Sequence, residues 1–91
     1  MGEEVVLFES EEKADRARVC SFLRDLADRI EQNNVVLRKG DEEVTVDIPD
    51  MMELEVKLEE ETSSSGEKEY QLEIEVEWPE GGEDEGSVSL G

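Results

Sequence analysis

Histidine is missing from this sequence altogether. With it go the commonest general base, the commonest transition-metal ligand and the central member of hydrolytic triads. A single cysteine, Cys20, rules out an internal disulfide, so nothing calls for an oxidising compartment. Lysine and arginine are scarce: nine stand against 28 aspartates and glutamates, for a formal net charge of -19. Phosphate backbones and anionic lipid surfaces attract the opposite sign, which argues against nucleic acid and membrane as partners. No apolar run approaches the roughly 20 residues that span a bilayer. Met1-Gly2-Glu3-Glu4 has neither the basic nor the apolar region of a secretory signal, and Val6 stands where myristoylation needs Ser or Thr. The expectation is a soluble cytoplasmic protein without cofactor or metal.

Such a charge, with a mean hydropathy of -0.66, ordinarily accompanies disorder. Here the apolar residues recur at strand and helix spacings, which disorder does not require. The alternative is a folded protein built for a salty solvent. At 1 M salt the Debye length is about 3 Å, so neighbouring surface carboxylates scarcely repel.

The clearest pattern is Tyr70–Trp78, in which Tyr70, Leu72, Ile74, Val76 and Trp78 alternate with Gln71, Glu73, Glu75 and Glu77 until Pro79 ends the run. Period two places the apolar set on one face of a strand, toward a core, and the acids on the other. Upstream, Val5-Val6-Leu7-Phe8 within Glu3–Glu9 reads as a short strand or an extended arm. Ser10 supplies an N-cap oxygen, and from Glu11 to about Gln32 the period becomes helical. Val19, Leu23, Leu26, Ala27 and Ile30 make a stripe with Cys20 and Phe22 on its shoulders. Asn33-Asn34 suits a left-handed exit.

Val35–Arg38 is a short strand, and Lys39-Gly40-Asp41-Glu42 a tight turn that brings Leu37 opposite Val44. Val44, Val46 and Ile48 continue the alternation to Pro49. Beyond it, Met52, Leu54, Val56 and Leu58 point inward, and Glu53, Glu55, Lys57 and Glu59 outward. Glu60–Lys68, with Thr-Ser-Ser-Ser-Gly, is the expected loop. Pairing Leu58 with Tyr70 keeps the apolar residues together and sets Glu55 against Glu73 and Glu53 against Glu75. Like charges directly opposed are unfavourable where good cross-strand pairs contribute roughly 0.2–1 kcal/mol, a second sign of a high-salt solvent.

The expected architecture is α+β in two layers: one amphipathic helix packed on an antiparallel β-meander of three to four strands, with Glu3–Glu9 as an optional N-terminal strand. The first segment, the helix and Val35–Arg38 are also compatible with a right-handed βαβ crossover. Residues 1–79 are expected to form one domain, and residues 80–91 a flexible, acidic, glycine-rich tail with Ser87–Leu90 as a weak edge alternation.

Val6-Leu-Phe-Glu-Ser-Glu-Glu-Lys, Phe22-Leu-Arg-Asp-Leu-Ala-Asp-Arg-Ile, Leu37-Arg-Lys-Gly-Asp-Glu-Glu-Val-Thr-Val, Pro49 and Leu72-Glu-Ile-Glu-Val-Glu-Trp78 together resemble the amphi-Trp domain, a family of small proteins abundant in halophilic archaea. The resemblance runs from about Val6 to Trp78. It implies a helix with an antiparallel sheet and a haloarchaeal source. It carries over no activity and no functional residue beyond Trp78, the family's namesake position.

A search for chemistry finds little. Cys20, beside the helix stripe, fits a small buried hydrophobe better than an activated thiol. Asp41-Glu42-Glu43 and Glu83-Asp84-Glu85 lack the alternating ligand spacing of a calcium loop. Glu53, Glu55, Glu73, Glu75 and Glu77 fall on a solvated face, where the divergent pKa values of acid/base catalysis are hard to create. Trp78, and after it Tyr70, are either sheet-end core residues or anchors for another protein. The expected function is that of a small, acidic, non-enzymatic interaction module whose partner contacts are Trp78, Tyr70 and the five glutamates. The chain would then be a monomer or weak homo-oligomer. The alternative is an acidic face that imitates nucleic-acid phosphates and binds a basic protein.

Overall fold

A computed structural model describes residues 2–80. The elements are α1 (Arg16–Glu31), β1 (Asn34–Lys39), β2 (Glu42–Asp47), β3 (Glu53–Thr62) and β4 (Lys68–Glu77). Among the described residues the class is α+β, with one helix and four antiparallel strands. The strands pair as two hairpins, β1 with β2 and β3 with β4. Two compact units divide the chain, Met1–Ile48 and Pro49–Gly91.

In the first unit α1 packs against β1. The helix begins at Arg16, later than Ser10 and Glu11 suggested, because Asp15 caps it: the Asp15 carboxylate accepts from the Arg18 N–H at 2.8 Å. An aspartate in extended backbone at this position satisfies an N–H that the helix itself cannot. At the other end Asn33 takes φ 68°, the left-handed exit expected there, and its N–H donates to the Ile30 carbonyl at 3.0 Å. The chain reverses again at Gly40, φ 60°, between Lys39 and Glu42, so that Leu37 lies opposite Val44 as expected.

Val35, Leu37, Val44, Val46 and Ile48 share one face of this hairpin, which carries the two buried residues, Val35 and Ile48. Leu26, Ile30 and Cys20 of the helix stripe are half-buried, whereas Val19, Phe22 and Leu23 remain 44–46% exposed. The opposite face is complementary in charge and polarity. Asn34 Nδ2 donates to Asp47 at 3.2 Å, and Arg38 Nε donates to Glu43 at 2.9 Å.

Residues 2–15 contain no strand. Glu3–Glu9 is therefore not an added N-terminal strand, and the βαβ crossover is not formed. Val5, Val6 and Leu7 are exposed on an extended arm. It is tied down at its far end, where Lys39 donates to the Glu9 carbonyl at 3.3 Å and Arg18 pairs with Glu12 at 2.9 Å. Ser87–Leu90 and the tail from 81 onward lie outside the described residues.

The second unit is the β3–β4 hairpin. Its ladder differs by two residues from the pairing expected: Leu58 faces Leu72, Val56 faces Ile74 and Leu54 faces Val76. The strands run on to Thr62 and Lys68, which shortens the connection to residues 63–67 and moves its centre. Gly66 at φ 90° closes that loop, its N–H donating to Ser63, and the Ser63 N–H donates to the Glu67 carbonyl at 2.8 Å. A slip of two preserves which side chains share a face, whereas a slip of one would exchange them.

Candidate functional site

The ten-residue strands β3 and β4 form a ribbon with two unlike faces. One carries Leu54, Val56 and Leu58 from β3 and Tyr70, Leu72, Ile74 and Val76 from β4. Alternation assigned this set to a core. Six of the seven are instead 59–69% exposed, and Val76, nearest the open end, is 38% exposed. Periodicity reports which face is apolar; it does not report what covers that face. Met52 and Trp78, one step beyond the last ladder pair, are both half-buried. Trp78 thus lies between the core and anchor roles expected of it. Tyr70 is exposed and lies opposite Glu60, not Leu58.

At the loop end the apolar face is bordered by charge. The Lys68 Nζ lies 3.6 Å from a Glu60 carboxylate oxygen, and both residues point to the same side as Tyr70 and Leu72. The sequence carried a signal for this border that the expected loop obscured: Glu60 and Lys68 hold even positions, like every apolar residue on that face.

The second face is acidic. Glutamates oppose each other in three pairs across the ladder, Glu53 with Glu77, Glu55 with Glu75 and Glu61 with Glu69. The opposition of glutamates is present, but in different pairs from those expected. Glu73 faces Lys57, is half-buried, and accepts from Gln71 Nε2 at 3.0 Å. A hydrogen bond shared with the Glu55 carboxyl, then the charge of Glu77, raises Glu75 above the ordinary carboxylate value. These carboxylates stand in solvent, and Lys57, 3.9 Å from Glu59, is a cation among them.

A shallow groove in the first unit is lined by Phe8, Phe22, Leu37, Arg18, Arg38 and Lys39 among others. Each of its cations already holds an oxygen of the chain: Arg18 that of Glu12, Arg38 that of Glu43 and Lys39 the Glu9 carbonyl. Arg18 also lies over the Phe22 ring at 5.7 Å, a cation–π contact that stiffens the helix face. The groove reads as packing of the arm. Cys20 is half-buried and has no disulfide partner. Among the described residues no three carboxylate or thiol groups cluster to hold a metal ion, and no helix is long and apolar enough to cross a membrane.

A small α+β protein with an amphipathic acidic hairpin and a tryptophan at its end is the class these elements define. The family model described as the Amphi-Trp domain matches residues 1–91, and the chain belongs to that family. Neither a curated protein nor a solved structure matches the chain.

Proposed function

We propose that the protein is a non-enzymatic interaction module of a salt-adapted cell, and that the apolar face of β3–β4 is its binding surface. The observation that carries this reading is the exposure of Leu54, Val56, Leu58, Tyr70, Leu72 and Ile74 as one contiguous strip. Isolated two-stranded hairpins are marginal in water, and contiguous apolar patches beyond a few hundred Å² mark interaction sites. Full burial of one such side chain contributes about 1.5–3 kcal/mol, so covering this face is a large source of stabilisation. Trp78 and Tyr70 then act as aromatic ends of the strip, and the glutamates keep its reverse side in solvent.

A photo-crosslinking side chain at Leu72, with Thr45 as a control position, tests the reading in native cell extract at molar salt. Adducts of discrete mass at Leu72 and not at Thr45 are expected. Equal labelling from both positions would sink the proposal.

The second reading, an acidic mimic of nucleic-acid phosphates, is favoured by one observation: Glu53, Glu55, Glu73, Glu75 and Glu77 lie together on the other face. Adducts from a crosslinker at Gln71, on that acidic face, that are lost on adding a polyanion would favour it over the first.

A further inference from the structure

We propose that the open apolar face of β3–β4 is closed by the same face of a second copy of this chain, sheet on sheet, with the two 63–67 loops at the same end. This rests on the reading of that face as an interaction surface and commits to its occupant.

Charge decides how two copies meet. Edge-to-edge pairing would continue the carboxylate rows of one copy into those of the next at a strand spacing of about 4.8 Å. Face-to-face packing sends the rows bearing Glu53, Glu55, Glu73, Glu75 and Glu77 outward, on opposite sides of two sheets about 10 Å apart. The carboxylates then stand farther apart than the sheets themselves, beyond the Debye length of about 8 Å at 0.15 M salt. On this hairpin the apolar face is the surface on which a copy can approach while the five glutamates stay apart.

The rim decides the orientation. A two-fold axis parallel to the strands lays β3 of one copy over β4 of the other at the same level. Glu60 then lies over the second copy's Lys68–Tyr70 segment, and Lys68 over its Glu60 end, so both charges find partners across the pair. The reversed stacking would lay Glu60 and Lys68 over the end that carries Met52, Val76 and Trp78. Burying that Glu60–Lys68 pair against an apolar end costs the desolvation of both charges with no charge of the second copy to offset it.

Area sets the strength. Ten-residue strands rising about 3.4 Å per residue, two abreast, give a face of roughly 34 by 10 Å, or about 340 Å² per copy. A pair buries on the order of 700 Å², well under the roughly 1,600 Å² of a standard interface and within the range of weak, reversible ones. The contact is isologous and therefore closes at two copies.

Sedimentation equilibrium of the full chain from roughly 10 μM to 1 mM, in about 0.15 M and 2 M NaCl, tests the proposal. A monomer–dimer equilibrium tighter at high salt is expected, and Ile74→Lys should weaken it about tenfold or more. Glu60→Lys alone and Lys68→Glu alone should each weaken their own homodimer about threefold or more at low salt, whereas mixing the two variants should restore association as a heterodimer. The mixture keeps the test decisive should Ile74→Lys fail to fold. Dimerisation indifferent to Ile74→Lys in a folded variant, or no heterodimer preference in the mixture, would overturn the packing. A monomer throughout overturns the second copy as occupant. If that monomer binds an apolar dye that Ile74→Lys abolishes, the face is open and the interaction reading stands; if it binds none, the face is closed by the chain itself and both fall.

Discussion

Asp15 and Asn33 do most to set the limits of the helix, one at each end. The Asp15 carboxylate takes the Arg18 N–H at 2.8 Å, and no acidic residue occupies the first helical turn to share the task of meeting the positive end of the dipole. The stripe this helix presents is only half covered, with Val19, Phe22 and Leu23 still 44–46% exposed, so packing does less here than in a deep core. A cap matters more under those conditions. Asp15→Ala is expected to cost about 1 kcal/mol, at the usual magnitude for a lost N-cap, and Asp15→Ser to restore most of it. Urea unfolding with far-ultraviolet circular dichroism measures both. Glu12 and Arg18, exposed and 2.9 Å apart, form the kind of surface pair that contributes little to stability, so Glu12→Gln should leave the midpoint nearly unchanged in the same experiment.

The two hairpins show what alternation does and does not encode. Both have one apolar and one polar face, and the sequence made this legible residue by residue, down to Leu37 opposite Val44 across the Gly40 turn. The β3–β4 register was legible only to within an even slip. Parity constrains the faces, while the residues that end the strands constrain the offset, and Thr62 and Lys68 are polar enough to pass for loop. Helix start failed for a similar reason: Ser10 and Asp15 are both competent caps, and propensity does not rank them. Of the candidate site, the acidic face and the aromatic ends were legible, but the apolar strip between them was assigned to a core because alternation is silent about cover. The polar faces also differ in kind. In β1–β2 they pair Arg38 with Glu43, and in β3–β4 they set Glu55 against Glu75. That crowding predicts a pH effect. Glu75 holds its proton more tightly in the folded hairpin than in the unfolded chain, its value being raised by Glu55 and then Glu77. Stability should therefore fall as pH rises from the unfolded carboxylate value, about 4.3, through the higher folded one. Glu75→Gln should remove that part of the slope, so that the difference in melting temperature between variant and parent grows with pH across this window. A difference constant with pH would mean that Glu55 and Glu75 do not compete for a proton in solution.

For the whole molecule the governing quantity is a net charge of -19 on 91 residues. Opposed side chains in an antiparallel ladder have Cβ atoms about 4.5–5.5 Å apart. That distance lies inside the Debye length of about 8 Å at 0.15 M salt and outside the roughly 3 Å that holds at 1 M. The repulsions of Glu53 with Glu77, Glu55 with Glu75 and Glu61 with Glu69 should thus act in dilute buffer and be largely screened at molar salt. Apolar burial works in the same direction, since excluded salts strengthen it. Screening these three opposed pairs should raise the melting temperature by about 5 °C or more. Thermal melts from about 0.05 to 2 M NaCl measure the rise. Charge and apolar terms separate in Glu55→Lys with Glu77→Lys, which turns two of the three opposed pairs into attractive ones: its stability at low salt should exceed the parent's, and its rise with salt should be smaller. Parent melts flat across the series would mean that the acids are already far enough apart not to need a salty solvent. A rise of equal size in parent and variant would assign the effect to apolar burial and remove charge screening as its cause.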